Sequence, residues 1–285
     1  LSLKDNQLVI KKRDDEIVTA AIEDIAYIVL DSPQITVTNA LLGALLENNC
    51  AIINCDKTHL PSGLLLPLSG NTLQSERFQA QIEASLPLKK QLWQQTVQQK
   101  IMNQAAILKA TRNAEIGNMT TWANSVRSGD VDNREAVAAA YYWKELFPDI
   151  PDFVRDRNGV PPNNMLNYGY AILRGVVARA LVSSGLLPTF GIHHHNRYNA
   201  YCLADDIMEP YRPIVDKLII DILAEMEEYP KDLSTDIKAK ILQIPVLDCF
   251  INGERSPLMN AVATTTASLA KCYMGVTKKL IYPEV

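Results

Sequence analysis

The sequence predicts an α+β protein, with a small N-terminal β-sheet domain over residues 1–70 and a larger all-α domain over 85–285. Residues 71–84 are expected to be the linker between them. Short β-branched runs punctuated by turn residues fill the first region. Beyond Asn71 the apolar residues recur instead at helical spacing. The two kinds of run do not alternate, which argues against a βαβ protein and for strands first, helices after.

Leu1–Lys4 and Gln7–Ile10 flank Asp5-Asn6, a pair suited to a tight hairpin turn. Further strands are expected at Glu16–Ala20, Ala26–Leu30, Ile35–Val37 and Ala51–Asn54. A helix over Ala40–Glu47, capped by Thr38 or Asn39, interrupts them. Pro61–Ser69, with a glycine and two prolines, closes the region as a loop. Leu92, Val97, Ile101, Ala105 and Leu108 then trace a helix through a Gln- and Lys-rich stretch. Later helices are expected at Arg134–Phe147, Met165–Ser183, Tyr211–Glu227 and Ser234–Leu242. The loop Pro148–Pro162 carries four prolines and separates two of them. The tail 261–285, rich in small residues and Thr, fits neither period.

The chain has 285 residues, 47% apolar and 21% charged, an ordinary globular balance. Its five cysteines, Cys50, Cys55, Cys202, Cys249 and Cys272, form no CxxC pair. Neither a disulfide framework nor a zinc site is therefore indicated, and a cytoplasmic location with free thiols is expected. No apolar run reaches the roughly 18 residues of a membrane span. The charged start lacks the apolar segment of a signal peptide, and a first residue other than Met is expected to lie inside its gene product. A formal charge of −4 argues against a dedicated nucleic-acid coat, yet DNA binding needs only a local basic patch.

Chemistry concentrates between Gly191 and Asp216. His193, His194 and His195 are consecutive, and Asp205, Asp206 and Glu209 follow. Imidazole and carboxylate together are ligands for a divalent cation such as Mn²⁺. A helix starting near Ala204 places the three acids within about 100° of arc, opposite Leu203, Ile207, Ile214 and Leu218. They are thus expected to form one polar face, with Pro210 and Pro213 kinking or restarting the helix. Clustered histidines equally suit a solvated loop, and first-turn acids equally answer the helix dipole. Glu135 raises the same choice. Asp132 or Asn133 is a good N-cap, which puts Glu135 in a first turn, where a carboxylate is commonplace.

NREAVAAAYYW, PNNMLNYGY, GIHHHN and LADDIMEPYRPIVD occur in that order. Together, and over essentially the whole chain, they resemble the CRISPR-associated endonuclease and integrase family Cas1, most closely its type II members. The resemblance implies a metal held by a Glu, a His and a second acid. The Glu of NREA is Glu135. A G-x-x-H pattern selects His194 over His193 and His195, and Glu209 matches the second acid. Asp206 matches a supporting acid, and Asn164, Asn167 and Tyr168 match a segment lining the site, although Tyr168 and Tyr170 equally suit a core. Arg174, Arg179, Arg197 and Arg212 are candidates for DNA phosphates or plain surface charges. His59, alone in its loop, is read as incidental.

The resemblance further implies insertion of prespacer DNA into a CRISPR array by 3′-OH transesterification, supported by Mn²⁺ or Mg²⁺. Duplex DNA would be the substrate, and a homodimer joined through the β domains, clamping a Cas2 dimer, the assembly. A metal-dependent phosphohydrolase is the rival enzyme, but no histidine has the adjacent Asp that it would need. A catalytically inactive DNA-binding scaffold of the same fold is the other rival.

Overall fold

A computed structural model describes residues 1–12, 14–151, 153–156 and 158–285. Strands β1 (Ser2–Lys4), β2 (Gln7–Lys11) and β3 (Ile17–Ala21) form an antiparallel meander. Asp5 and Asn6 both take positive φ, as a two-residue hairpin turn requires. A second sheet holds β4 (Tyr27–Leu30), β5 (Ala51–Cys55) and β6 (Pro61–Leu65). Helix α1 (Asn39–Glu47) crosses from β4 to β5, which run parallel, and Thr38 Oγ1 caps it by accepting from Leu41 N.

The helix expected between two strands is present, and it makes β4-α1-β5 a parallel crossover. The first region departs from expectation in two places. Ile35–Val37 forms no strand, because its neighbours bond to the chain start instead: Leu1 N donates to Thr36 O and Thr38 N to Leu1 O. Pro61–Leu65, read as loop, is a strand at the sheet's edge, where proline forfeits no ladder donor.

Successive residues of a strand face opposite ways, and β5 uses this to join two cores. Ile52 packs into a small cluster with Leu8, Ile22, Leu41 and Leu45. Ile53 packs into the large helical cluster. A Cβ on Gly175 would meet Ile53 Cδ1 at 2.7 Å, so a glycine there lets a helix lie directly on β5.

The helical part is built around α3 (Leu86–Arg112), about 40 Å long at 1.5 Å per residue. Ser85 caps its start and Asn113, in left-handed conformation, ends it. Against it pack α4 (Gly117–Ser125), α5 (Arg134–Leu146), α7 (Cys202–Met208) and α8 (Arg212–Leu223). Helices α6 (Asn163–Ser183), α9 (Thr235–Ile241) and α10 (Leu258–Tyr273) complete the bundle. Helix α10 resolves the ambiguous tail.

The stretch 71–84, expected as linker, carries helix α2 (Gln74–Glu83), which packs on α10. A polar, Gln-rich segment hides its helix when its burial is achieved by hydrogen bonds. The Gln81 amide, buried, donates to Leu187 O and Phe190 O and accepts from Leu187 N. The helical part also contains a hairpin, β7 (Asp248–Ile251) with β8 (Glu254–Pro257), turned at Asn252-Gly253, both of positive φ. Asn-Gly between strand-forming residues is a strong hairpin signal, and it stands in the sequence in plain view.

Among the described residues no helix is long and apolar enough to cross a membrane, and all five cysteines are free.

Candidate active site

Three elements bring Glu135, Glu209 and the histidine loop against α3. Asn133, one of the two expected N-caps, occupies the cap position of α5 in left-handed conformation, but its side chain makes no cap hydrogen bond. Asp132 pairs with Arg127, while the cap comes from Asp130, whose carboxylate accepts from Arg134 N at 2.8 Å and Glu135 N at 3.0 Å. This fixes Glu135 in the first turn, facing α3. Glu209 opens a 3-10 turn, Glu209–Tyr211, between α7 and α8, because Pro210 and Pro213 break the helical ladder there. Asn103 of α3 holds that turn, its amide donating to Pro210 O and Pro283 O.

The three acids do not form the single polar face that their spacing predicts. All are buried, at 8% exposure for Asp205, 0% for Asp206 and 3% for Glu209, and each has its own partners. Asp205 binds Arg174 and Asn199. Asp206 accepts from the backbone N–H groups of Ile192 and His193 and from both His194 N and His194 Nδ1, the last at 2.5 Å. Glu209 meets Lys100 Nζ through Oε2 at 2.6 Å and the Arg212 guanidinium through Oε1 at 3.0 Å. A helical projection shows direction but not what stands opposite, and here other elements close over the acids.

Asp206 organises the histidine loop. With Nδ1 committed to Asp206, His194 has Nε2 as its ligand nitrogen, the carboxylate–imidazole arrangement that orients a metal-binding histidine. The hydrogen bond to Asp206 raises the His194 pKa, against the opposing effect of burial, and Asp206, Glu209 and Glu135 add to the rise electrostatically. His193 is used differently. Its ring stacks on Trp93, nearly parallel with centroids 4.3 Å apart, and burial lowers its pKa. His195 is exposed. A Cβ on Gly191 would lie 2.3 Å from His194 O and 2.8 Å from Asp206 Oδ2, so only glycine permits this wrap. Asp206→Ala would strand at least three buried or half-buried N–H donors. We expect it to cost about 3 kcal/mol or more, read as a fall of roughly 10 °C in thermal midpoint. An unchanged midpoint would remove Asp206 from this role.

Lys100 Nζ lies 2.6 Å from Glu135 Oε1 as well as 2.6 Å from Glu209 Oε2. Burial alone would lower the Lys100 pKa, but Glu209 and then Glu135 outweigh it and raise it. Burial likewise opposes the Glu209 charge, and Arg212 and Lys100 overcome it, so its pKa falls. Among the described residues no three His, Cys, Asp or Glu side chains are gathered closely enough to hold an ion as they stand. The donor set nevertheless fits a divalent cation. Two carboxylates and an oriented imidazole act on one another electrostatically, and buried Glu209 Oε2 faces the Lys100 cation.

Beside Glu209 opens a cavity of about 530 Å³, with Arg155, Tyr170, Arg174, Met208 and Arg212 in its wall. Arg155 and Arg212 each stand 5.0 Å from the centre of the Tyr170 ring. The Tyr170 and Tyr142 hydroxyls donate to Asp216, whose burial pushes its pKa up to about 6. Arg155 is the one arginine of this wall not singled out by sequence. It lies in the proline-rich loop and donates to Asn163 and Asn167.

The remaining candidates separate. Asn167 lines the cavity. Asn164 is turned to the far side of α6, where its amide donates to Pro230 O and Lys231 O. Tyr168 is core, at 1% exposure. Arg179 donates through Nε to Asn49 O and ties α6 to the loop before β5. Arg197 is exposed with its guanidinium over Tyr198. His59 is not isolated, because Nδ1 lies 3.0 Å from Asp31 Oδ1, whose other oxygen meets Lys238 Nζ of α9.

The family model described as CRISPR associated protein Cas1 matches residues 1–252. The chain belongs to the Cas1 family. It is 38% identical over 290 residues to a CRISPR-associated endonuclease Cas1 of Neisseria meningitidis, covering 100% of this chain and 93% of that one. A Cas1 relative from Pyrobaculum aerophilum is 29% identical over 250 residues, 83% of each chain. Among solved structures, a casposase bound to integration product superposes with a TM-score of 0.79 at 21% identity, over 98% of this chain and 89% of that one. A CAS1 protein from Thermotoga maritima gives 0.74 at 16% identity, over 96% and 94%. At these identities the structural likenesses establish that this Cas1 shares their fold.

Proposed function

We propose that this Cas1 chain is a divalent-metal-dependent DNA endonuclease and integrase of CRISPR adaptation, joining prespacer 3′-hydroxyl ends to the repeat by transesterification. One observation supports it most: His194, oriented through Nδ1 by buried Asp206, stands within electrostatic reach of Glu135 and Glu209, which converge on a single cation. These three side chains would hold Mn²⁺ or Mg²⁺, with Mn²⁺ the better match to imidazole. A bound ion supplies positive charge for the developing phosphate negative charge and favours loss of the 3′-OH proton. Asp206 fixes the ring that would ligate it. Arg212, held on Glu209, and Arg174, held on Asp205, present fixed positive charge beside the cavity for DNA phosphates. The attacking group is the DNA 3′-hydroxyl, so no side chain need act as nucleophile.

The relatives support the same reading: a CRISPR-associated endonuclease in Neisseria, and a casposase caught with its integration product. A chain of a Cas6-RT-Cas1–Cas2 complex superposes over 99% of this chain and 35% of its own length, with a TM-score of 0.75 at 20% identity. We infer a homodimer that assembles with a Cas2 dimer on duplex DNA. Labelled DNA ends mixed with a repeat-bearing plasmid, Cas2 and Mn²⁺ should become covalently joined to the repeat, and EDTA should stop it. Joining unaffected by EDTA would remove the metal from the mechanism. Binding should weaken steeply with salt despite the net charge of −4, and Arg174→Ala should flatten the log–log slope by about 1. An unchanged slope would leave Arg174 as a partner of Asp205 alone.

A further inference from the structure

Lys100 is placed as no surface lysine is. It sits mid-way along α3, 7% exposed, flanked by the fully buried Val97 and Ile101. Its ammonium touches one oxygen of Glu135 and one of Glu209, each at 2.6 Å, and these carboxylates come from different elements. Lys100 and Arg212 together neutralise Glu135 and Glu209, so the cluster is balanced without any ion. Lys100 Nζ reaches Glu209 Oε2 at 2.6 Å as the charged partner of a buried oxygen, a place that another cation can take over.

We propose that Lys100 is the protein's own cation for this site, occupying the carboxylates of Glu135 and Glu209 in the metal-free chain and yielding them to the divalent ion. The proposal rests on the reading of those carboxylates as metal ligands. Two consequences follow from the charges. The metal-free site stays folded, since neither half-buried Glu135 nor buried Glu209 is left unpaired. The ion binds more weakly than its three ligands alone would allow, because it must displace one positive charge and then remain near it. A merely structural lysine would predict the reverse, since its loss would disorder the ligands and weaken binding.

The test measures Mn²⁺ binding by the loss of the free-ion paramagnetic resonance signal, on the full chain, together with thermal midpoints in EDTA and in Mn²⁺. Lys100→Gln removes the competing charge. It should bind Mn²⁺ at least tenfold more tightly than wild type, melt lower than wild type in EDTA, and regain more of its midpoint when Mn²⁺ is added. Lys100→Arg keeps the charge and can bridge both carboxylates with a planar fork that gives way less readily. It should fold without metal and bind Mn²⁺ at least tenfold more weakly. His194→Ala in each background reports whether the measured ion sits at this site. Binding that depends on His194 but gains nothing in Lys100→Gln would overturn the proposal alone. No His194-dependent binding in any chain would overturn the metal-site reading and the proposal with it. Should Lys100→Gln fail to fold in either buffer, Lys100→Arg decides: weaker affinity with a thermal midpoint in EDTA at or above wild type upholds the competition, and affinity equal to wild type, or weaker affinity with a lowered midpoint, sinks it.

Discussion

Glu135→Ala should yield a folded protein that binds duplex DNA and joins no ends. The structure separates the two effects. Helix α5 keeps its cap, because Asp130 uses the backbone N–H of residue 135 rather than the side chain. Lys100 loses one of its two carboxylates and keeps Glu209. A lost charge-assisted hydrogen bond is worth about 1.5–3 kcal/mol, which in a chain of this size lowers the thermal midpoint by several degrees without unfolding it. As a ligand of the proposed ion, Glu135 would contribute more than this to the transfer step. Strand transfer should fall at least about a thousandfold, some 4 kcal/mol of barrier. Gel assays of joined product beside a melting curve check both halves. Activity near wild type, or collapse of the fold, would each refute a ligand role.

The three adjacent histidines should differ as sharply. His194→Ala should abolish Mn²⁺-supported joining, since Asp206 orients this ring alone. His195→Ala should leave joining essentially intact, since it is His194 that bonds Asp206 and His193 that stacks on Trp93. His193→Ala should fall between them, because its stack on Trp93 steadies the loop without supplying a ligand. The pH dependence has a definite sign. A protonated imidazole holds no metal, and the hydrogen bond that His194 donates to Asp206 raises the His194 pKa. Mn²⁺ affinity should therefore fall as pH drops through a value above the ordinary histidine range of about 6.5. Asp206→Asn should move that midpoint towards acid. A silencing effect at His195 rather than His194 would mean that the loop wraps differently around Asp206.

Much of this was legible in the chain, for identifiable reasons. The Asp5-Asn6 turn, the Thr38 cap and the apolar period of α3 are local signals, and local geometry obeys them. Within the site, Glu135 and Glu209 could be named from motifs, and the choice of His194 agrees with the one imidazole that Asp206 holds. What stayed hidden depends on distant partners. Nothing near Asp205, Asp206 and Glu209 announces that each will be buried against a different element. Helix α2 looked like a linker because its anchor is an amide bonding across 106 residues to the histidine loop. Lys100, inside a Gln- and Lys-rich helix, reads as one more solvated charge until α5 and the turn at Glu209 close over it. Arg155 lay in a loop that periodicity cannot interpret. The hairpin at Asn252-Gly253, by contrast, was available from local chemistry alone.

Anomalous diffraction at the manganese edge from crystals grown with Mn²⁺ tests most directly whether Glu135, His194 and Glu209 hold the divalent ion. One strong peak bonded to His194 Nε2 and to carboxylate oxygens of Glu135 and Glu209 is expected, with His194 Nδ1 still on Asp206. A peak coordinated by His193 or His195 instead, or density showing Lys100 still bridging both carboxylates at saturating Mn²⁺, would contradict it.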